Sequence, residues 1–174
     1  LKDISFNSGL KDTLDIWDIQ LIEYGEKVIQ ARKKFVSDIN EIISEIHKKL
    51  TGNQEQIEVI YEPNTGGQSL GDVIQINRER DLRMMSTTSG PHRDDICFQV
   101  DGIDIRKFGS QGQQRTAALS LKLSEIELVK MLTKDKPVLL LDDVLSELDK
   151  HRQNYLLDSI DDIQTLITCT GVDE

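Results

Sequence analysis

Pro137-Val138-Leu139-Leu140-Leu141-Asp142-Asp143 is the stretch that decides the fold. Its four consecutive apolar residues predict a strand buried on both faces. Two carboxylates follow at the C-terminal end, where open α/β sheets bind their ligands. Adjacent aspartates at a strand mouth repel each other unless a cation sits there. A magnesium ion carrying nucleotide phosphates meets that need. The stretch therefore points to nucleoside triphosphate chemistry on an α/β scaffold.

Working outward, Gly112 to Leu132 has helical periodicity. Ala118, Leu121, Leu128 and Leu132 share a face, flanked by Leu119, Leu123 and Ile126. Lys150 to Ile160 reads as a further helix and Gln164 to Thr168 as a last strand. Upstream, Ile96 to Val100 is a strand, Asp101-Gly102 a hairpin turn, and Ile103 to Ile105 the start of the return. Hairpin, helix, strand, helix, strand is an α/β order built on a parallel sheet. From Lys11 to Leu50 there is no proline and one internal glycine, Gly25. Phe35, Val36, Ile39, Ile42, Ile43, Ile46 and Leu50 follow an amphipathic helical pattern, and Trp17, Leu21, Tyr24 and Val28 extend a similar stripe. Such a helix reaches roughly 60 Å. Gly25 is expected to bend or break it, and Thr51-Gly52 to end it. It either packs on its own domain or projects as an arm. Ile57, Val59 and Tyr61 alternate as a strand until Pro63, and Leu70 to about Met85 reads as another helix.

The chain has 174 residues, 37% of them hydrophobic and 30% charged, which suits a domain with an exposed helical part. A net charge of -10, from 21 basic and 31 acidic residues, argues against a simple basic nucleic-acid binder but leaves room for a local patch. Cys97 and Cys169 fall in predicted strands and read as small buried hydrophobes in a reducing cytoplasm. No clustered Cys/His spacing suggests zinc, and no apolar run is long enough to span a membrane. The chain starts without methionine, which suggests a fragment of a longer protein.

Three pieces carry the chemistry. Ser110-Gln111-Gly112-Gln113-Gln114-Arg115-Thr116 opens a helix. Ser110 suits the N-cap, Gly112 allows close backbone approach, and the free N–H groups with the positive helix end attract phosphate. Alone, the segment also fits an ordinary capped helix. The second piece is the strand ending in Asp142 and Asp143, a Walker B type pattern. The third is Ser146-Glu147-Leu148-Asp149, which alone could be a helix start capped by Asp149. In this order and spacing they resemble the signature motif, Walker B and D-loop of ABC-type ATPases. Gly90-Pro91-His92-Arg93-Asp94-Asp95, Phe108-Gly109-Ser110-Gln111-Gly112-Gln113-Gln114-Arg115-Thr116 and Leu139 to Asp149 further resemble the C-terminal motifs of the RecF family, DNA replication and repair proteins related to the SMC ATPases. The resemblance is strong from about Thr88 to Thr170. Upstream, Leu14-Asp15-Ile16-Trp17-Asp18 and the long helix fit the family's helical domain. It implies residues 1–87 as a mostly helical arm or second domain, and residues 88–174 as the distal part of an ABC-type head. No G-x-x-x-x-G-K-[ST] sequence occurs. In the family that phosphate loop lies in the N-terminal half, so this chain alone is expected to be inactive and its parent a slow ATPase.

The resemblance implies that two heads sandwich two ATP molecules. Ser110 and the backbone around Gln111, Gly112 and Gln113 would bind the γ-phosphate in trans. Asp142 would hold magnesium and Asp143, at the usual catalytic Glu position, would orient or deprotonate water. Ser146 and Asp149 form the D-loop. Thr170 falls where many ABC ATPases keep a switch histidine. It further implies an ATP-dependent homodimer, DNA contact at a duplex or a single-strand/duplex junction, and RecR and RecO as partners in loading recombinase at gaps, in the cytoplasm and without a membrane. Arg78, Arg83, Arg93, Arg106 and Lys107 are candidate DNA contacts, with Lys48, Lys49 and Arg80 beside them. Glu79 and Asp81 interleave, so a solvated helix face fits equally well. His92-Arg93 with Asp94-Asp95 reads better as an internal salt-bridged turn than as an anion site. The alternatives are half of another SMC-like ATPase, or a non-enzymatic helical interaction module.

Overall fold

A computed structural model describes residues 8–145 and 148–169. Helix α1 runs unbroken over Ser8–Leu50. It closes with a Schellman turn: the Asn53 N–H reaches the Lys48 carbonyl at 2.7 Å, and Gly52 has φ +63°. Then follow β1 (Ile57–Glu62), α2 (Leu70–Met84), a 3-10 turn at Pro91–Arg93, β2 (Asp95–Val100) and β3 (Ile103–Asp104). The C-terminal elements are α3 (Ile105–Phe108), α4 (Gln111–Thr133), β4 (Leu139–Asp142), α5 (Lys150–Ser159) and β5 (Thr165–Thr168). The order is α/β, as expected. A three-stranded sheet runs β1-β2-β3, and β4 pairs with β5 in parallel, Leu139 opposite Thr165 through Asp142 opposite Thr168. Asp101 and Gly102 make the β2–β3 turn at φ +50° and +79°. The return strand stops at Asp104 because that carboxylate accepts the Arg106 N–H and starts α3.

Contacts divide the chain into two compact units along different lines from the expected 87/88 boundary. The first takes the chain up to Phe35 together with Tyr61–Ile96. The second takes Val36–Ile60 together with the chain from Cys97.

In the first unit Ile29, Leu70 and Ile74 are buried, with Ile22 and Tyr61 against them. Gly25 does not break α1. A Cβ there would lie 2.3 Å from Leu70 Cδ2, so the glycine admits the Leu70 side chain against the helix. That contact turns Ile22, Gly25 and Ile29 inward. The expected stripe of Trp17, Leu21, Tyr24 and Val28 lies on the exposed side instead. The Asp94 side chain, 2% exposed, is a buried junction: Arg32 Nη1 donates to it at 3.0 Å, the Asn64 N–H at 2.9 Å, and the Tyr61 hydroxyl also. The turn's Asp94 is salt-bridged by Arg32 of α1, not by Arg93 within the turn as expected. Burial, then the Asp94 carboxylate, pushes the Tyr61 phenol up to about 12.

In the second unit Leu50, Leu119, Leu123, Ile126, Leu139, Leu141, Leu156, Ile160 and Ile163 form one core. On α1, Val36, Ile39, Ile43, His47 and Leu50 point inward, while Phe35 is exposed. On α4 the expected face is also shifted. Ala118 and Leu132 are exposed, and Thr116, Ser120 and Ser124 are buried beside Leu119 and Leu123. Their hydroxyls donate to carbonyls one turn back at 2.6–2.8 Å, so burial leaves them satisfied. β4 is buried on one face only. Leu139 and Leu141 enter the core, whereas Val138 is 58% and Leu140 72% exposed, because the described residues place core on one side of this sheet. Cys97 is buried, but Cys169 lies one residue beyond β5 and is exposed.

Candidate functional site

The Ser110 turn is built by local reciprocity. Ser110 Oγ accepts the Gln113 N–H at 3.2 Å, and Gln113 Oε1 accepts the Ser110 N–H at 3.0 Å, a capping box. Gln114 Nε2 donates to the Ile105 carbonyl at 2.9 Å and ties down the preceding loop. Ser110, Gln111 and Gly112 are exposed. The N–H groups of Gln111 and Gly112 find no partner among the described residues, as the first turn of a helix dictates. A Cβ on Gly112 would meet nothing nearer than Ser110 Oγ at 3.9 Å. The absence of a side chain there therefore keeps space open outside the protein. Two free amides, an open approach and the positive end of a 23-residue helix make a surface suited to an anion.

The acid pair lies at the tip of β4 in the same unit. Asp142 and Asp143 are both exposed. Thr168, the register partner of Asp142 on β5, donates its hydroxyl to Asp142 Oδ1. The Asp143 N–H reaches both the Thr168 carbonyl and its hydroxyl oxygen, each at 3.1 Å. Asp143 sits in the left-handed region at φ +52°, a conformation that aspartate tolerates better than most residues. Thr168 thus holds both acids at the strand end. Sequence reasoning missed it, since its role depends on strand register. Among the described residues no group of three or more His, Cys, Asp or Glu could hold a metal by itself. The donor set is two carboxylates, which fits magnesium shared with phosphates and water rather than a closed protein cage.

Asp149 caps α5. It accepts the Arg152 N–H at 3.0 Å and Arg152 Nη1 at 2.7 Å, and these bonds, the backbone one first, hold its carboxyl below the usual range. Ser146, Glu147 and Thr170 lie outside the described residues.

The candidate DNA-contacting cations are distributed over both units. Arg78 is engaged by Asp15 at 2.5 Å and by Asp18. Arg83 Nε donates to the Glu79 carbonyl. Lys107 pairs with Asp104 at 3.0 Å, and Arg106 is exposed with partners of its own. Arg93 is exposed on the 3-10 turn and has no ion-pair partner among the described residues. Lys48 pairs with Glu45 at 3.0 Å. Sequence reasoning also missed Glu55 and His47, which stand behind Gln113. The only sequence signal was that His47 falls in register with Val36, Ile43 and Leu50 on the buried stripe.

A parallel pair of strands backed by helices, a capped serine-led turn and twin aspartates at the strand tip define the distal part of an ABC-type ATPase head. Comparison with known proteins agrees. The chain is 59% identical over its full length to the DNA replication and repair protein RecF of Agathobacter rectalis, and 56% identical to that of Lachnospira eligens. It covers 48% of each, so it spans about half the length of the curated relatives it matches. A solved structure of the recombination mediator protein RecF with ATP, in the RecFOR pathway, superposes with a TM-score of 0.81 and 36% identity, over 94% of this chain and 46% of that one. A second, with ATPγS, also gives 0.81. No family model matches the chain. The chain belongs to the RecF family.

Proposed function

We propose that this chain supplies the second half of an ATP site across a dimer interface, in a protein that mediates recombinational repair at gapped DNA. The observation that carries the reading is the Ser110 turn: exposed, pre-organised, with two amides unclaimed and the space above Gly112 open. A γ-phosphate held by the phosphate loop of a partner head would complete this half-site, so that nucleotide links two subunits and hydrolysis releases them. Ser110, Gln111, Gly112 and Gln113 form the trans surface. Asp142, with Asp143 beside it, would hold magnesium, and the ion when bound neutralises phosphate charge. Asp143 takes a proton from, or orients, the attacking water. Its carboxylate is one methylene shorter than glutamate, which favours a slow switch over rapid turnover. Asp149, with Ser146 of the same D-loop sequence, would contact the partner, and Thr170 falls at the sequence position of γ-phosphate sensing. The functional head is taken as residues 88–174 and the arm as residues 1–87, with Val36–Ile60 packing in the head's compact unit. Duplex or junction DNA, RecR and RecO are the partners, in the cytoplasm. Arg93, exposed and without an ion-pair partner among the described residues, is the leading DNA-contact candidate.

The test uses a full-length protein carrying this chain. Light scattering with and without ATP should show a nucleotide-dependent dimer, and Ser110→Arg should abolish it while nucleotide still binds. An unchanged dimer in that variant would remove the trans role. Asp143→Asn should retain the dimer and slow hydrolysis by about 100-fold or more; turnover at the parental rate would refute the assignment of Asp143.

A further inference from the structure

A buried imidazole lies behind the exposed turn, and nothing in the proposed chemistry uses it. His47 is fully buried on a face of α1 that is otherwise apolar. A leucine or isoleucine would fill such a position at lower desolvation cost. The ring instead sits with Nδ1 2.8 Å from Ser120 Oγ and Nε2 3.4 Å from Glu55 Oε2. Ser120 Oγ is also 2.8 Å from the Thr116 carbonyl, so its proton can serve either the ring or the helix. Burial keeps the imidazole neutral. Glu55 and Asp101 oppose that by favouring its charge, and Arg152 reinforces it. Nε2 makes no hydrogen bond, so its approach to Glu55 is a close polar contact rather than a bond.

Glu55 is the middle of the chain. Its side chain is 24% exposed, and its other oxygen, Oε1, accepts Gln113 Nε2 at 3.1 Å. Gln113 then spends its Oε1 on the Ser110 N–H. Both ends of one flexible side chain are thus claimed, one by the turn and the other by a carboxylate backed by a buried ring. Without Glu55, Gln113 regains rotamer freedom, and the capping box must be held by its own two bonds.

We propose that Glu55, packed against His47, is a positioning residue that fixes Gln113 and thereby the direction of the Ser110–Gly112 amides toward phosphate. The proposal rests on the reading of that turn as a phosphate-facing surface. Anion recognition by backbone amides depends on donor direction within a narrow range, so a loosened cap weakens it without changing any group that touches the ligand.

Two measurements on Glu55→Ala and Glu55→Gln test this. Amide hydrogen exchange without nucleotide, on a full-length protein carrying this chain, reads the turn itself. Glu55→Ala should raise exchange at the Ser110 N–H about tenfold, the effect of losing one charge-assisted hydrogen bond. Glu55→Gln keeps an oxygen for Gln113 Nε2 and should restore most of the protection. In a full-length protein carrying this chain, Glu55→Ala should weaken ATP-dependent dimerisation about tenfold and leave nucleotide binding by the separate subunits unchanged, with Glu55→Gln again restoring it. Unaltered Ser110 exchange in Glu55→Ala would overturn the proposal. So would a loosened turn whose dimer affinity is unchanged although Ser110→Arg abolishes the dimer. If Ser110→Arg leaves the dimer intact, the phosphate-facing reading has failed, and the exchange data decide the anchoring by themselves.

Discussion

Gly25→Ala tests whether the first unit depends on the close approach of Leu70. Two opposing effects meet at this position. Within a helix, alanine is favoured over glycine by about 1 kcal/mol. Against that, the new Cβ would stand 2.3 Å from Leu70 Cδ2, well inside contact distance, and Leu70 is fully buried. Overpacking of this kind costs about 1–3 kcal/mol. The clash should win, with a net loss between about 0 and 2 kcal/mol. Leu70→Ala alone removes a fully buried leucine and should cost about 2–5 kcal/mol. On that background the obstruction is gone, so Gly25→Ala should now stabilise by its helical preference of about 1 kcal/mol. The sign reversal is the diagnostic. Urea unfolding of the four chains, followed by far-UV circular dichroism, closes the double-mutant cycle with a coupling of about 1–3 kcal/mol. If Gly25→Ala stabilises both backgrounds equally, glycine is not there to admit Leu70.

Asp94→Ala leaves Arg32, the Tyr61 hydroxyl and the Asn64 N–H without their shared acceptor, and should lower stability by about 3 kcal/mol in urea unfolding; a loss under 1 kcal/mol would mean that water replaces it freely. Tyr61 should ionise about two units above an ordinary phenol, near 12, in an ultraviolet titration read as the difference between the parent and Tyr61→Phe. The His47 pKa is lowered from 6.5 by burial, so the unfolded chain binds the proton more readily. Its contribution to stability is therefore complete above pH 6.5 and is lost as pH falls through the lower folded value. His47→Gln should flatten that part of the stability–pH profile. Leu140→Glu, at a residue 72% exposed, should change stability of the 174-residue chain by about 0.5 kcal/mol or less, whereas Leu141→Glu puts a carboxylate at a 6% exposed core position and should cost more than about 4 kcal/mol.

The contrast between Leu140 and Leu141 shows what a sequence of this kind can disclose. The run from Val138 to Leu141 reads as a strand because four apolar residues between a proline and two acids are too few for a helix. It predicts burial on both faces, since all four residues are apolar and carry no alternation that would mark Val138 and Leu140 as exposed. The length of α1 was readable from the absence of proline. Its inward face was not, because apolar residues line both sides upstream, and the choice falls to Gly25, whose partner Leu70 is 45 positions away. On α4 the buried Thr116, Ser120 and Ser124 look like surface letters. Their hydroxyls are satisfied within the helix, so the polar letter conceals a core position.

The candidate site divides in the same way. Ser110 was legible as an N-cap because a helix start is written locally, while the reciprocal bond from Gln113 emerged with the structure. Asp142 and Asp143 were legible because a strand end is a local event. Thr168, Glu55 and His47 were not, since each acts through a partner between 25 and 73 positions distant. The groups that face outward thus show by residue type what they can bind, while the groups that hold them still show only through packing. A motif comparison would therefore score Glu55→Ala or Thr168→Val as silent. The structure places Glu55 one hydrogen bond from the Gln113 side chain, and Thr168 against both acids. Such substitutions should preserve every recognisable motif while weakening the site those motifs describe.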